Sequence, residues 1–336
     1  MHRRKPDRAN ETDIIIMAHN IESRNGKSSI VWAGETPWHR LGQKVEDAFD
    51  AGTALRLGGL DFAVEKQPIS LASTGKVISG RHAIVRTDTQ DVLGVVGDMY
   101  RPLQNKDAFA FFDGAFGKDK ARYEVAGVLG KGEQVWLLAR LPGEFTVGKE
   151  DLVNRYLLLT NGHTGNDTVR AKFTPIRVVC QNTLSAALRD GTHEVRVQHI
   201  GNVSAKLEIA GKLLSQAGVY FDEVQDSFNR FLSRRVRAAG LRRYAIEALT
   251  DNTKPFEELH PLTQRAVNRV EELAETGRGM DIKGVRGTLW AAYNAVTEYV
   301  DHDKTVGKVD YMARGRGLEI KHRAFTVARD LALSVN

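Results

Sequence analysis

The chain is nearly devoid of cysteine: Cys180 is the single one in 336 residues. That excludes an intrachain disulfide framework and an all-cysteine metal cage. No stretch approaches the ~18 unbroken apolar residues of a membrane span, so no membrane partner is expected. The basic N-terminus is not followed by the ~7–15-residue apolar core of a secretory signal. A reducing cytoplasm is the expected compartment. Signatures of chemistry are missing as well. There is no Gly-x-x-x-x-Gly-Lys-[Ser/Thr] loop, no Gly-x-Ser-x-Gly elbow and no His-Glu-x-x-His or His-x-Glu…Cys-x-x-Cys arrangement. Gly127, Gly130 and Gly132 make a turn, not a dinucleotide fingerprint. No catalytic residue is assigned, and no cofactor or metal ion is expected.

What is present is an ordinary amount of core-forming material. Hydrophobic residues make up 42% and charged residues 27%. Disorder throughout is therefore excluded, and the length fits about two domains at ~150 residues each. The formal net charge is +6. A basic balance favours acidic partners, with nucleic acid first among them, although only clustering of the charge makes such a reading specific.

The pattern along the chain divides it in three: a loose polar arm over 1–29, with Met17 as a second possible start; an α+β core over 30–200; and a helical region over 201–336 that packs on or beside the core. VEDAFDAGTALRLGGL predicts a helix from Val45 to Leu57, stopped by Gly58 and Gly59. DFAVEKQPIS alternates as a strand. Three hairpins follow. The first pairs His82–Arg86 with Val92–Val96. The second, RYEVAGVLGKGEQVWLLARLP, turns at Lys131-Gly132. The third, RYLLLTNGHTGNDTVRAKFTPIRVVCQN, turns in its Asn-Gly and Gly-Asn loop. A helix, KDAFAFFDGAF, lies between the first two. Serial hairpins with a packed helix imply an antiparallel sheet backed by helices, an α+β fold. Beyond 203, Ile209, Leu213, Ala217, Tyr220, Val224, Phe228 and Phe231 recur every three or four residues. They predict one long amphipathic helix running to Arg237. Further helices fit 261–276, 288–301 and 318–334. No internal repeat is present.

Two basic elements stand out. On the outgoing strand of the third hairpin are Arg170, Lys172 and Arg177. Arg170 and Lys172, two apart, share one face of a strand and suit a phosphate backbone or simply solvent. Gln181 and Asn182 are placed to cap the next helix or to contact base edges. The second element is SFNRFLSRRVRAAGLRRYAI, with Arg230, Arg234, Arg235, Arg237, Arg242 and Arg243 and no acid from Ser227 to Ile246. Arg230, Arg234 and Arg237 at i, i+4 and i+7 would line one helical face. Arginines at that spacing repel by ~0.2–0.5 kcal/mol per pair unless an anion or an acid such as Glu257, Glu258, Glu271 or Glu272 meets them. Phe228 and Phe231 fit the core seam better than a base-stacking role. Phe173 sits among the strand's cations. His163, in the Asn161–Asp167 loop, is a candidate contact to DNA or to a neighbouring subunit. Read as an enzyme, the chain would use Cys180 as nucleophile with His163 or His39 as base, against the plainer reading of an inert core thiol. Trp38 and His39 in ETPWHRLGQ form a ligand platform or a groove plug.

The segments WAGETPWHRLGQKV, MYRPLQNKDAFAFFD, LLLTNGHTGNDTVRAKFTPIRVVCQNTLSAAL, GTLWAAYNAVTEYVDH and KHRAFTVARDLAL resemble the phage/plasmid-like family whose shared domain has no assigned function. TPIRVVCQNTL is the most specific of them. The resemblance implies a gene of a bacteriophage, prophage or plasmid acting in a bacterial host, and brings no catalytic residue. The order of elements is also similar to that of Rad52-like phage single-strand annealing proteins, an analogy of architecture alone. It implies self-assembly into a homo-oligomer that holds single-stranded DNA in a basic groove. The expected function is nucleic-acid binding, single-stranded DNA favoured, with Arg170, Lys172, Arg177, Arg230, Arg234, Arg235 and Arg237 on phosphates. The alternatives are an enzyme on a nucleotide-like substrate and a counter-defence protein that binds a host protein.

Overall fold

The computed structural model describes residues 21–24, 26–33, 42–116, 122–177, 179, 182–183, 194–200, 217–250, 254–303 and 315–334. The ETPWHRLGQ motif, Cys180, Gln181 and the expected helix before Ala217 fall largely or wholly outside these residues.

The N-terminal part opens with a two-stranded hairpin, β1 (Ser23–Arg24) and β2 (Lys27–Ser28), then β3 (Ile30–Ala33) and β4 (Gln43–Val45). Val31–Ala33 pair in parallel with Gln43–Val45. That pairing holds Val45 in a strand, so helix α1 (Ala51–Gly58) begins six residues later than its apolar pattern suggests. Asp50 caps it, accepting the Thr53 amide at 2.6 Å. Gly59, at φ 72°, ends it in the left-handed conformation glycine adopts without strain.

The first hairpin expands into a three-stranded antiparallel sheet, β5 (Val64–Ser70), β6 (Val77–Arg86) and β7 (Val92–Val96). Helix α2 (Asn105–Phe116) follows. The other two hairpins form the centre of an eight-stranded sheet. Its strands β8 (Arg122–Leu129), β9 (Gln134–Val147), β10 (Asp151–Gly162) and β11 (Val169–Arg177) pair antiparallel in succession. β12 (Asn182–Thr183) and β13 (Glu194–Val197) both pair with β11, and β3 and β4 complete the opposite side. The fold is α+β, as the hairpin pattern predicts.

The C-terminal helices are α3 (Ala217–Ser233), α4 (Ala238–Leu249), α5 (Pro261–Thr276), α6 (Leu289–Glu298) and α7 (Arg316–Leu333). α6 runs into a π-helical turn, Tyr299–Asp303. The expected helix through Arg237 stops at Ser233. There the chain pairs with the segment before α6: Val236 N donates to Gly287 O at 3.0 Å, and Leu289 N donates to Arg234 O at 2.8 Å. A long-range backbone bridge thus overrides a locally helical sequence. None of the described helices is long and apolar enough to cross a membrane.

Sheet and helices share one apolar core. Tyr220, Phe221, Val224, Phe228 and Phe231 bury one face of α3, at about 1.5–3 kcal/mol for each large side chain. Phe145 and Phe173 from the sheet meet Phe221, while Phe228 reaches Trp290 and Tyr293 of α6 and Phe325 of α7. The aromatics of the basic stretch therefore build the core and do not stack bases.

Candidate nucleic-acid interface

The eight candidate residues do not gather in one place. Along the first half of β11, Val169, Ala171 and Phe173 are buried while Arg170 and Lys172 are half-buried, the alternation a strand imposes. Arg170 donates from Nε to Thr168 at 3.2 Å and lies 3.8 Å from Glu194. Arg196 stands directly across from Arg170 and holds Glu194 at 2.7 Å. Lys172 is turned against α7, where its Nζ donates to His322 Nε2 at 2.7 Å. Burial pushes its amine down to about 8, Glu194 opposing and Lys321, Arg196 and Arg170 adding to the shift.

Arg177, at the far end of the same strand, is a correction. It is 0% exposed and every guanidinium nitrogen is engaged. Nε and Nη2 donate to Asp151 at 2.8 and 2.6 Å, Nη1 to the Arg278 carbonyl at 3.0 Å and Nη2 also to the Gly279 carbonyl at 3.1 Å. Trp290 Nε1 donates to the same carboxylate at 2.7 Å. A desolvated guanidinium persists only where such partners replace water. Arg177 is a joint between β11, β10 and the loop before α6, with no exposed surface to offer a phosphate.

His163 is the second correction. It is fully buried. Its Nε2 donates to Asn105 Oδ1 at 2.9 Å, and its backbone N–H donates to the Glu133 carbonyl at 2.8 Å. Asn105 is oriented by its own amide, which donates to Leu60 O at 2.9 Å, and Asn161 donates to the same Oδ1 at 3.0 Å. Burial pushes the His163 imidazole down to about 3, with the charges of His199 and Arg86 acting in the same sense. His199, buried and stacked on Tyr100 at 5.1 Å, is lowered as well, chiefly by burial. Among the described residues, His163 Nδ1 has no hydrogen-bond partner. The loop carrying His163 presses on β7 so closely that a side chain at Gly94 would strike the Thr164 backbone, and one at Gly165 would strike Val96 and Val95. His163 is therefore sealed inside the fold and has no exposed surface at which DNA, a second subunit or a substrate could reach it.

The helix-end arginines remain outside. Arg230 is exposed in the last turn of α3, where a cation also complements the carbonyl end of the helix. Because α3 stops at Ser233, Arg230, Arg234 and Arg237 do not share one helical face. Arg237 is instead the N-cap residue of α4, exposed and without a side-chain cap bond. Arg235 pairs in a bridge with Thr288 and donates from Nη1 to the Arg286 carbonyl at 2.9 Å. Neither Arg230 nor Arg237 engages a carboxylate among the described residues. Arg242 does, with two bonds to Glu271 at 2.9 and 2.8 Å, and Arg243 lies 3.4 Å from Glu247. An open pocket of about 470 Å³ is lined by Asp226, Asn229, Arg230, Ser233, Arg234 and Ala332.

The bridge adds residues that spacing alone does not reveal. The loop 278–287 carries exposed Arg278, Lys283 and Arg286, and the bridge brings it to the 234–237 segment. Arg278 and Arg286 each lie 3.9 Å from an acid, Glu298 and Glu275. The sequence signal was there in GRGMDIKGVRG, a glycine-rich loop with three cations, but nothing local tied it to Arg235. The candidate cations thus fall into an exposed arginine rim at the α3–α4 junction and a smaller, half-buried group around Arg170. Among the described residues no group of three or more His, Cys, Asp or Glu side chains is placed to hold a metal ion.

No curated protein and no solved structure matches the chain. A family model described as a domain of unknown function, DUF932, matches residues 92–325. That span runs from β7 through the central sheet to α7, and includes both basic groups and the buried histidines. It covers well over half of the chain, and the chain belongs to the DUF932 family.

Proposed function

We propose that this is a nucleic-acid-binding protein of a mobile element, a bacteriophage or plasmid, that grips single-stranded DNA by its phosphate backbone and serves annealing, recombination or protection. The reading rests on one observation above all: the Arg235–Thr288 bridge. It places two arginine-bearing segments, distant in sequence, on one rim beside an open pocket. Arginine there presents a planar fork suited to phosphate oxygens. The net charge of +6 supports the same partner. Of the sequence candidates, Arg230, Arg234, Arg235 and Arg237 form the proposed contact surface, joined by Lys283 and Arg286. Assembly into a homo-oligomer would extend the rim into a continuous path.

The test is anisotropy of labelled single- and double-stranded oligonucleotides across a salt series. The expected result is preferential single-strand binding that weakens steeply with salt, each phosphate contact adding ~0.7 to the log–log slope. Mass photometry with and without the oligonucleotide checks assembly. Absence of binding at low salt removes the reading. A lysate capture that survives nuclease would then favour a host-protein partner.

A further inference from the structure

Among the described residues, the group around Lys172 has a local excess of positive charge. Three cations, Arg170, Lys172 and Arg196, meet across β11 and β13 with Glu194 as the carboxylate between them. Glu194 lies opposite Lys172, but its oxygens are turned to the two arginines. Nearby on α7, Lys321 is already neutralised by Asp301 of the π-helical turn at 2.9 Å, both buried. Among the described residues the hydrogen bond of the Lys172 amine therefore goes to a neutral partner, the His322 ring, and to no carboxylate. An ammonium has three N–H donors. His322 takes one and fixes the amine on the side of β11 that carries Arg170 and faces Arg196 across the strand pair. Burial also holds His322 down to about 4, with Lys172 and Lys321 adding to the shift and Glu194 opposing, so the imidazole stays an acceptor.

We propose that Arg170, Lys172 and Arg196 form a binding site for a phosphate group, with His322 as the positioning residue that holds the lysine amine. An oxyanion seated there accepts from the amine and from a guanidinium, supplying the charge the cluster lacks. The amine is lowered to about 8 in the empty site. An anion favours its charged form, so binding above that pH takes up a proton, and affinity falls as pH rises. The site is separate from the arginine rim and does not depend on the nucleic-acid reading. Its phosphate comes either from a small phosphorylated ligand or from a nucleic-acid backbone.

The experiment is competitive acetylation of the full chain at pH 8 with limiting acetic anhydride, read by peptide mass mapping. Samples contain no addition, inorganic pyrophosphate, or a single-stranded oligonucleotide. The expected result is that pyrophosphate, the oligonucleotide or both slow acetylation of Lys172 at least fivefold while exposed Lys283 is unaffected by pyrophosphate. Protection by pyrophosphate marks a small-ligand site; protection by the oligonucleotide alone marks a nucleic-acid path. Repeating the series in Arg230→Glu/Arg237→Glu separates the two ideas, because pyrophosphate protection should persist there even if DNA binding is lost. Calorimetry with pyrophosphate should show proton uptake at pH 8.5 and at least tenfold weaker binding for Lys172→Met. His322→Phe should shift the pH dependence of binding while retaining binding at pH 7. Failure of both additions to protect Lys172 in the wild-type chain overturns the proposal, whether or not the variants fold.

Discussion

Arg177 and Arg237 read alike in the sequence, each a cation in a basic stretch, and the fold gives them opposite uses. Arg177 is sealed at the end of β11 with Asp151 two-fold bonded to it and two backbone carbonyls completing its shell. Arg237 stands in the open at the start of α4. The difference does not lie in the arginines. It lies in whether the topology brings a carboxylate to meet them. β10 runs antiparallel to β11 and delivers Asp151 to Arg177 from 26 residues away. The bridge at Arg235 delivers Thr288, a backbone carbonyl of Arg286 and further cations to the rim. Basic character in a sequence thus marks candidates, and pairing decides which of them stay available to a ligand.

The comparison breaks most sharply at Asp151. Asp151→Asn leaves the buried Arg177 charge uncompensated and weakens the Trp290 bond. It should cost about 3–5 kcal/mol in urea denaturation. Arg230→Met at the rim should change stability by no more than about 0.5 kcal/mol. Equal costs at the two positions would mean the rim is also a structural joint.

Acid probes the buried histidines in the same spirit. The folded state holds His163 near 3 while the unfolded chain titrates near 6.5, so below pH 6.5 the unfolded state takes up a proton that the folded state refuses. The stability is fully present above pH 6.5 and is lost as pH falls toward 3, at about 1.4 kcal/mol per pH unit for one such group. His199 and His322 are lowered too and add to the slope. His163→Gln should therefore reduce the slope of stability between pH 6 and pH 4 by about one proton. An unchanged slope would show that His163 is not buried in solution.

At the rim, Arg230→Glu/Arg237→Glu should weaken single-stranded DNA binding at least tenfold at ~100 mM salt and lower the salt slope by about 1.4, two phosphate contacts' worth. Unchanged affinity would place the contact surface elsewhere.

These outcomes follow features whose visibility in the sequence differed. The hairpins were legible because alternation and the glycine-rich turns are local signals; β8 and β9 reverse at Lys131-Gly132 as expected, while in the third hairpin Asn161-Gly162 stays in β10 and the chain reverses just beyond it, around Gly165-Asn166. The helices at 261–276 and 318–334 were legible from their apolar period. The break after Ser233 was not, since every residue from Arg230 to Arg237 is compatible with helix and the cause lies some fifty residues on, at Gly287 and Leu289. The β3–β4 pairing was hidden as well, because neither short strand carries a turn signal that names the other as its parallel partner. Of the site, the arginine cluster was visible as composition, but its partners were not. Asp151 for Arg177, Asn105 for His163 and His322 for Lys172 lie 26, 58 and 150 residues away. Such pairings are set by sheet order and helix docking, which no spacing rule along one chain encodes.

Arg242 supplies the intermediate case and the smallest effect. It lies one turn beyond Arg237 and is about half exposed, yet it is paired: both oxygens of Glu271 accept from it, and its guanidinium sits 4.6 Å from the Phe256 ring centre. The bond to Glu271 raises its pKa. Geometry is as good as at Arg177, but water competes for every donor. Coupling in a double-mutant cycle of Arg242→Ala and Glu271→Ala should accordingly be about 0.5–1 kcal/mol, well below the cost at Asp151. It should shrink further in 0.5 M salt, where exposed charges are screened within a few ångströms. DNA affinity should change little in Glu271→Gln if Arg242 is a structural cation. A gain in affinity would instead show that Glu271 masks a further member of the rim, and that pairing at this surface regulates how many arginines reach the phosphate backbone.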